Sequence, residues 1–532
     1  ITQAGVHSFV TGNNNNTFPN LCSVGFQVNN AADKVEVTDY RILDIGGSAG
    51  LRPFDAETGA PYSIFTALDD GIAAAGDTIT ITGTAANAGR PLYADPSANS
   101  LTYLRTGFET GNGKTVAKAR LYATALGGIE MYLNGQPVGE DWFAPGLTQY
   151  RELLNYNAYD VTGLLQNGAN TWAAIVGEGF YGGWATSGVN TKNYWGDYMG
   201  LMAKLVITYT DGTQETVVTN TADWKTFNDG PMRYGSMFQG ATYDARKEAG
   251  IAGWTQNGFD MSGWETPETI APRSEAVNFA LQAQRDTPVR LAAVLTAEKV
   301  LTAYNQAEND TTTYTYDMGT TLTGVPRITI PAGVLQEGDE VIIRYGEQIY
   351  PGNSDSPNTT HKDGYAYEDL YGPNGGYRCG VAGRPLYDTY RGANALDTYI
   401  AKQADANGVV IEPHFTFRSY RYVQIAISGG NGPLPVENVQ GLELSSIEVP
   451  TGTYNATTND TVDILDFETT GDMVNQFFEN TKQSQLGNFF SIPTDCPQRN
   501  ERQGWTGDIQ VYSRTATYHS TDAQNFLTQW MQ

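Results

Sequence analysis

KARLYATALGGIEMYLNG, residues 118–135, is the stretch that decides the fold. Apolar side chains alternate with polar or aromatic ones along residues 118–125 and again along 129–134. A period of two residues is the pattern of a β-strand with one buried face. The run ends in Asn134-Gly135, and both residues of this pair accept the positive φ of a tight hairpin turn. The stretch therefore predicts antiparallel strands joined by a hairpin.

The same pattern extends in both directions from this stretch. A second hairpin is predicted at Asp211-Gly212, so residues 101–265 read as an antiparallel β-sandwich. Strand patterns dominate again in residues 266–450 and predict a second β-sandwich domain. Residues 1–100 are rich in Gly, Ala and Asn, with one clear strand in DTITITGTA, and are predicted to be a loop-rich β segment of no assigned role.

The period changes near the end of the chain. In GDMVNQFFENTKQSQ, residues 471–485, apolar side chains recur at helical spacing, and they do so again in the last thirteen residues, STDAQNFLTQWMQ. Residues 451–532 therefore predict the beginning of a helical domain. The chain as a whole is predicted to be multidomain and mainly β, with helices at its end.

Composition limits the classes of function. A chain of 532 residues is too long for one core, so several domains are expected. Its formal charge of −26 repels a phosphate backbone, which makes nucleic acid an unexpected partner. No apolar run approaches the roughly 20 residues that a membrane helix needs, so no membrane partner is expected either.

Cysteines, histidines and glycosylation sequences give weaker indications. Cys22, Cys379 and Cys496 cannot all pair within the chain and show no metal spacing, and the four histidines are scattered, so no metal site and no cofactor are expected. The chain opens on Ile1, in a polar stretch without a signal peptide, and looks processed or trimmed there. Five Asn-x-Ser/Thr sequences are compatible with secretion, and an extracellular or cell-surface location is expected; they begin at Asn15, Asn309, Asn358, Asn455 and Asn459.

The stretch PTDCPQRNERQGWTGD, residues 493–508, joins two of the predicted helices and contains the candidate catalytic residues. Glycosidic bonds are cleaved by paired carboxylates, one of which protonates the leaving oxygen. Such an acid must be neutral at working pH, so burial or an anionic neighbour has to raise its pKa. Asp495 and Asp508 are candidate neighbours that would raise the pKa of Glu501, whereas Arg499 and Arg502 would lower it. The alternative interpretation is an ion-paired loop with a purely structural role, which would contain the same residues.

DCPQRNERQGWTGD closely resembles the signature of the bacterial and fungal α-L-rhamnosidases of glycoside hydrolase family 78. YLNGQPVGEDWFAPGLTQY, which begins at Tyr132, resembles the N-terminal lectin-like sandwich of that family. YDMGTTLTGVPRITI and EPHFTFRSYRYVQI, which begin at Tyr316 and Glu412, resemble the β-domain that precedes its catalytic barrel. The resemblance extends over residues 101–532.

The resemblance implies a fold and a set of roles. The helices after residue 451 would begin an (α/α)6 catalytic barrel that inverts the anomeric configuration. Glu501 would be the general acid in the release of terminal α-L-rhamnosyl residues. Asp495, Arg499 and Asp508 would hold rhamnose hydroxyls, and Trp505 would pack against the apolar face of the sugar. Rhamnose-containing glycosides or polysaccharides are the implied partners. Calcium occurs in lectin-like relatives of the sandwich, although no carboxylate run here calls for it.

An inverting enzyme also needs a second carboxylate to activate water, roughly 6.5–9.5 Å from the first. The resemblance places that general base, a Glu, downstream of Gln532. This chain alone is therefore expected to be catalytically incomplete, and the remainder of the barrel, in the same or a second polypeptide, is an expected partner.

Two other functions stay open. The chain could be a rhamnose- or glycan-binding module without activity, with the sandwich of residues 101–265 acting as the lectin. It could also be another helical-barrel glycosidase or a polysaccharide lyase; a lyase leaves an unsaturated sugar that absorbs in the ultraviolet, and a hydrolase does not.

Overall fold

The structure is a computed structural model, and the ranges that it describes are separated by gaps. It describes residues 24–27, 34–38, 72–75, 78–82, 91–94, 100–111, 113–185, 191–192, 195–196, 198–270, 280–306, 311–349, 385–391, 393, 396–402, 406–427, 432–448, 461–464 and 467–531. The chain divides into two compact units, Ile1–Leu101 and Thr102–Gln532.

The first unit contains short strands. They are β1 (Val24–Gln27), β2 (Lys34–Thr38), β3 (Ile72–Ala75), β4 (Thr78–Thr82) and β5 (Pro91–Ala94). β1 pairs with β5, and β4 lies between β2 and β3, all antiparallel. The strand predicted in DTITITGTA is confirmed as β4.

The second unit begins with a two-sheet sandwich. Its elements are β6 (Thr102–Thr110), β7 (Val116–Leu126), β8 (Gly128–Leu133), β9 (Gln136–Pro137), β10 (Leu153–Asp160), β11 (Gly168–Gly177), the short helix α1 (Gly179–Gly182), β12 (Trp184–Ala185), β13 (Thr191–Lys192), β14 (Gly200–Tyr209), β15 (Gln214–Val218) and β16 (Lys225–Phe227). One sheet has the order β16-β6-β11-β8-β9, and β15-β14-β7-β10 form most of the other. Leu121 and Leu205 of one sheet and Leu133 and Trp172 of the other are fully buried in the core between them.

A ten-stranded sheet follows. The strands after β16 are β17 (Met232–Ser236), β18 (Gly240–Asp244), β19 (Ala280–Ala283), β20 (Arg290–Thr296), β21 (Lys299–Gln306), β22 (Thr311–Ile330), β23 (Glu340–Gly346), β24 (Leu396–Ile400), β25 (Val409–Ile411), β26 (Arg418–Ile427) and β27 (Val439–Ser445). The sheet runs β17-β18-β24-β23-β26-β22-β27-β20, and β21 and β25 pair with the long strand β22. Tyr316, Ile343, Tyr345 and Val423 lie at the centre of its core.

Strands cross between the two sheet systems. β17 and β18 fall within residues 101–265, which were predicted to belong to the first sandwich, yet they pair in the ten-stranded sheet. β19 comes later in the chain and pairs in parallel with β10 of the sandwich. Alternation identifies a strand but carries no information on which strand it pairs with, because that choice depends on long-range packing. The domain boundaries themselves remain predictions.

Side chains join the sandwich to the ten-stranded sheet. His414 Nδ1 lies 2.7 Å from Glu130 Oε1, and the His414 ring stacks on Trp142 with ring centroids 5.5 Å apart. Burial alone would lower the pKa of His414, but the Glu130 carboxylate raises it to about 9. The imidazolium is therefore charged at neutral pH, and the contact is an ion pair.

The chain ends in two short hairpins and three helices. They are β28 (Thr461–Ile464), β29 (Phe467–Thr470), α2 (Gly471–Asn488), β30 (Phe489–Phe490), β31 (Ile492–Pro493), α3 (Thr506–His519) and α4 (Ala523–Trp530). Leu486, Ile509, Ala516 and Phe526 are buried together and hold the helices against one another. The predicted change from strands to helices is confirmed. Nowhere in the described ranges is a helix both long and apolar enough to cross a membrane.

Glu443 of β27 makes stability depend on pH. It is almost fully buried, Gln483 of α2 donates to its Oε1, and burial raises its pKa to about 7. Because the pKa of this carboxyl is higher in the folded state than its ordinary value of 4.5, the protonated carboxyl stabilises the folded state below pH 4.5. That stabilisation is lost as the pH rises through 7. The Glu443→Gln variant should lose less stability than the wild type between pH 5 and pH 8, by an amount on the order of 3 kcal/mol.

Urea unfolding at several pH values measures this difference. Glu437→Gln, a substitution of an exposed carboxylate near the same strand, is the matched control and should follow the wild type. Parallel pH dependence of the wild type and Glu443→Gln would contradict the prediction.

Candidate active site

An aromatic cluster holds the predicted motif against the β-domains. Phe490 of β30 stacks on Phe417 with ring centroids 3.8 Å apart, and Phe143 of the sandwich lies 5.4 Å from Phe490. The Ser491 hydroxyl accepts a 2.8 Å hydrogen bond from the Leu147 N–H of the sandwich. Three parts of the second unit therefore meet where the motif begins.

The motif forms a loop closed by its own hydrogen bonds. It runs from the last residue of β31 to Asp508, the third residue of α3, and so lies between the helices α2 and α3 as predicted. The Asp495 N–H donates to the Gln503 carbonyl at 2.9 Å, and the Gln503 N–H donates to Asp495 Oδ1 at 2.8 Å. This reciprocal pair fixes the base of the loop, so the side chains between residues 495 and 503 are held on a rigid frame.

Arg502 anchors the loop from beneath. Its guanidinium is fully buried, and Nη1 donates to the Met237 carbonyl at 2.6 Å while Nη2 donates to the Gln498 carbonyl at 3.0 Å. The same guanidinium lies over the Phe417 ring, 4.4 Å from its centroid. Burial and the neighbouring Arg418 lower the pKa of Arg502. Arg502 therefore faces the β-domain and hydrogen-bonds to backbone carbonyls rather than to Glu501.

Glu501 lies at the centre of a hydrogen-bonded group. Its side chain is 15% exposed, and Oε2 accepts from Arg499 Nε at 2.9 Å while Oε1 accepts from Trp505 Nε1 at 3.1 Å. Arg391 Nη1 lies 3.5 Å from Oε2. Burial alone would raise the pKa of Glu501, but the hydrogen bonds from Arg499 and Trp505 and the two arginine charges bring it below its ordinary value. The carboxyl is therefore ionised at neutral pH in this structure.

Asp495 stands beside this pair. Its side chain is only 5% exposed, and Oδ2 lies 3.4 Å from Arg499 Nη2. Burial raises the pKa of Asp495, against hydrogen bonding from the Gln503 N–H. Arg499 thus bridges Asp495 and Glu501, because its one guanidinium contacts both carboxylates and holds them next to each other.

The structure brings four of the five predicted site residues together. Asp495, Arg499, Glu501 and Trp505 are joined by hydrogen bonds, and Trp505 keeps 47% of its surface exposed as an apolar platform. Asp508 is exposed in the first turn of α3 and, within the described ranges, does not hydrogen-bond to the other four. The hydrogen-bonded group therefore does not include Asp508, and an effect of Asp508 on the pKa of Glu501 stays a prediction. The roles of the five residues remain predictions.

Sequence reasoning missed two groups that belong to this surface. Arg391 follows a 3-10 turn at Tyr387–Tyr390, and nothing in its local sequence links it to Glu501, 110 residues away. Glu347 accepts a hydrogen bond from the Ser419 hydroxyl at 3.0 Å. Burial raises the pKa of Glu347, against this hydrogen bond and the positive charge of Arg499. The long Tyr- and Gly-rich segment at 351–396 was the available signal; most of it lies outside the described residues.

One group of side chains could in principle hold a metal ion. Asp495, Cys496 and Glu501 place ligand atoms within 4.8 Å of one another. Burial raises the pKa of the Cys496 thiol to about 12, so it is a neutral, buried thiol and a poor ligand. The Arg499 guanidinium already occupies the space beside both carboxylates, 3.4 Å from Asp495 Oδ2 and 2.9 Å from Glu501 Oε2. This donor set does not favour a cation.

Comparisons with known proteins agree with this organisation. Residues 114–293 match the model of the α-L-rhamnosidase N-terminal domain, and residues 307–444 match the bacterial α-L-rhamnosidase concanavalin-like domain. Residues 463–532 match the bacterial α-L-rhamnosidase 6 hairpin glycosidase domain.

Individual relatives extend the match across the domains. The chain is similar to an α-L-rhamnosidase from Streptomyces avermitilis, with 35% identity over 82% of this chain and 36% of the relative. An α-L-rhamnosidase from Formosa agariphila is 31% identical over 81% of this chain and 39% of its own length. The chain thus spans less than half the length of these relatives.

Solved structures give the same result. The crystal structure of the Streptomyces avermitilis α-L-rhamnosidase complexed with L-rhamnose aligns with a TM-score of 0.64 and 31% identity, over 85% of this chain and 38% of that chain. The native α-L-rhamnosidase from Aspergillus terreus aligns with a TM-score of 0.64 and 27% identity, over 94% of this chain and 49% of that chain.

Proposed function

The chain belongs to the α-L-rhamnosidases of glycoside hydrolase family 78, and from that premise we propose that the whole protein hydrolyses terminal α-L-rhamnosyl residues of glycosides or polysaccharides, with inversion. Glu501 is the proposed general acid. The observation that carries the proposal is the Asp495–Arg499–Glu501–Trp505 group, in which one partly buried carboxyl lies between a guanidinium and an exposed indole.

Each member of the group has a proposed role in binding the sugar. Arg499 donates to the hydroxyls of the rhamnosyl ring and Asp495 accepts from them, since a guanidinium and a carboxylate supply the two halves of hydroxyl recognition. Trp505 offers its exposed face to the apolar side of the ring and its methyl group. Asp508 is separate from this group and is proposed to hold a hydroxyl from the first turn of α3.

The lowered pKa of Glu501 sets a requirement on the mechanism. A general acid must carry a proton, yet Arg499, Trp505 and Arg391 favour the ionised form. We propose that the sugar hydroxyls take over the hydrogen bonds of Arg499 when substrate binds. The sugar also excludes water from Glu501, and both changes raise its pKa toward working pH. The free structure and the substrate complex therefore differ in the protonation of Glu501.

Substituting Arg391 tests this protonation. Because activity requires neutral Glu501, the rate falls as pH rises through the pKa of Glu501. Arg391→Ala removes one charge that lowers this pKa, so the alkaline limb of kcat/KM should move to higher pH. Arg391 is largely exposed, so the shift should stay below about one pH unit.

The pH–rate profile of the whole protein on an aryl α-L-rhamnoside gives this measurement. Arg514→Ala, an exposed arginine on α3, is the matched control and should leave the limb where it is. An alkaline limb that stays in place or moves to lower pH in Arg391→Ala would contradict the proposed role of Glu501.

The second carboxylate of an inverting pair is proposed to come from the rest of the catalytic domain. Asp495 has an oxygen within 4.8 Å of Glu501, which leaves no room for the attacking water of an inverting reaction. Asp495 is also held by Arg499 and by the Gln503 N–H. This chain alone is therefore proposed not to hydrolyse rhamnosides.

Exposed apolar side chains on the terminal helices support the same proposal. Met473 and Phe477 on α2 and Val511 and Tyr518 on α3 are each more than 60% exposed. Met473 and Phe477 lie one turn apart on the same face of α2, and contiguous exposed apolar surface marks a site that another element covers. The proposed partner is the continuation of the helical barrel, in the same or a second polypeptide.

The remaining expectation also stays a proposal. An extracellular or cell-surface location is proposed from the five Asn-x-Ser/Thr sequences, whose asparagines all lie outside the described residues.

Release of free L-rhamnose from an aryl α-L-rhamnoside by the whole protein tests the proposed function. Rhamnose release without ultraviolet absorption by an unsaturated sugar supports a hydrolase, and such absorption would identify a lyase. Glycan binding without release, unchanged in Glu501→Gln, would instead assign the chain to the carbohydrate-binding modules.

A further inference from the structure

A cavity of about 500 Å³ lies behind the catalytic loop. Its wall includes Asn155 and Trp195 of the sandwich unit, Asp286 after β19, and Trp530 at the end of α4. Gln503 of the loop faces the cavity, whereas Glu501 and Trp505 are not among its lining residues. The cavity and the candidate active site therefore use opposite sides of one loop.

Hydrogen bonds between its walls hold the cavity in shape. The Leu147 N–H donates to the Ser491 hydroxyl at 2.8 Å, and the Arg285 N–H donates to Gln529 Oε1 at 3.3 Å. The Trp195 ring packs edge-on against Tyr150, with centroids 5.6 Å apart. The volume lies within the range of roughly 300–1,000 Å³ found for small-molecule sites, and such sites are usually preformed.

Two buried oxygens on the cavity wall have no hydrogen-bond partner within the described ranges. They are Oδ1 of Asn155, a residue that is 4% exposed, and Oδ1 of Asp286. A buried acceptor without a donor costs about 1–3 kcal/mol, so native proteins leave few of them. Burial also raises the pKa of Asp286 to about 6, against a hydrogen bond from the Gln284 side chain. Both oxygens call for a ligand that donates hydrogen bonds.

The other lining groups narrow the class of that ligand. Asp286 and Glu152 disfavour an anion, and Arg502 has its guanidinium engaged by backbone carbonyls. Phe238, Trp195 and Trp530 supply apolar faces. Flat apolar surfaces combined with a few fixed polar groups match a ring that has both an apolar face and hydroxyl groups.

We propose that this cavity is a second saccharide site, which binds a small neutral sugar through hydroxyl donation to Asn155 and Asp286. The choice of L-rhamnose as the first probe rests on the proposed function. Because Gln503 and Gly504 form part of the wall, sugar bound here contacts the back of the catalytic loop.

Calorimetric titration of the whole protein with L-rhamnose tests the proposal, with D-glucose and D-galactose as further probes. In a Trp505→Ala background, which weakens binding at the catalytic loop, saturable binding should remain. Asp286→Leu and Asn155→Leu, which fill the cavity and remove the acceptors, should each weaken this binding at least tenfold. Asp286→Asn keeps the shape and one oxygen and should weaken it less. Asp211→Asn, on an exposed hairpin turn, should have no effect.

The outcomes separate this proposal from the proposed function. Two results would overturn the second site alone. In the first, the protein releases rhamnose, but its Trp505→Ala variant binds none of the three sugars. In the second, the variant binds a sugar, and Asp286→Leu and Asn155→Leu leave that binding unchanged. Binding that depends on Asp286, in a protein that releases no rhamnose, would support the second site and overturn the hydrolase. Thermal melts of both leucine variants establish that they are folded. If both are unfolded, Asp286→Asn decides, because unchanged affinity in that variant would overturn the proposal.

Discussion

Replacing Glu501 by glutamine should lower hydrolysis of an unactivated rhamnoside by about 10²- to 10⁴-fold, the contribution typical of a general acid. Glutamine has nearly the same shape and can still accept from Arg499 or Trp505, so the loop should keep its structure. What it cannot do is give a proton to the leaving oxygen. The effect should therefore fall on kcat and much less on stability.

The leaving group supplies the sharper measurement. A glycoside whose leaving group is a good one, such as a nitrophenolate, needs little protonation, so Glu501→Gln should lose less activity on it than on an alkyl or sugar glycoside. Glu479→Gln, an exposed carboxylate on α2, is the control and should behave as the wild type. Equal losses on both kinds of substrate would contradict the role of general acid.

Replacing Arg502 by methionine should lower the free energy of unfolding by about 3 kcal/mol. The Gln498 and Arg499 carbonyls each accept from this guanidinium, at 3.0 Å and 3.2 Å, and would lose their charged donor. The Met237 and Phe417 carbonyls would keep a donor, because Arg418 also contacts them. Because the loop positions Glu501, activity should also fall, by up to about 10²-fold for a displacement near 1 Å.

Lysine at position 502 should not restore the wild-type values. An ammonium group cannot reproduce the planar fork that reaches several carbonyls at once. Chemical unfolding and kcat/KM of Arg502→Met and Arg502→Lys measure both effects, beside Arg514→Met as an exposed control. Wild-type stability and activity in Arg502→Met would show that the loop does not depend on this anchor.

Local features of the fold could be predicted because their causes lie in neighbouring residues. Asn134 and Gly135 adopt φ values of 52° and 82° between β8 and β9, as the hairpin prediction requires. Gly212 has a φ of 82° in the second predicted hairpin. Helical spacing in residues 471–485 likewise identified α2 before its packing was known.

Strand pairing could not be predicted in the same way. β17 and β18 have ordinary strand patterns, yet they join a sheet whose other members lie more than 40 residues away. Their partners are decided by which buried faces fit together in the complete fold. The same holds for β19, which pairs with β10 across more than 100 residues.

The part of the candidate site that lies within one short segment could be predicted, and the part that distant segments contribute could not. Asp495, Arg499, Glu501 and Trp505 lie within eleven consecutive positions, so one closed loop brings them together. Arg391 approaches Glu501 from another domain, and Arg502 turns away from it into the β-domain. For this reason the motif alone indicated the contact between Arg499 and Glu501 but could not indicate Arg391.

The identity and anomeric form of the sugar released from an α-L-rhamnoside test the central claim most directly. Proton nuclear magnetic resonance, recorded on the whole protein within the first minutes of reaction, distinguishes the two anomers before they equilibrate. We predict that β-L-rhamnose is the first product, since an inverting hydrolase turns the α-linkage into the β-sugar. Initial release of the α-anomer would contradict inversion, and the absence of rhamnose would contradict the proposed hydrolysis.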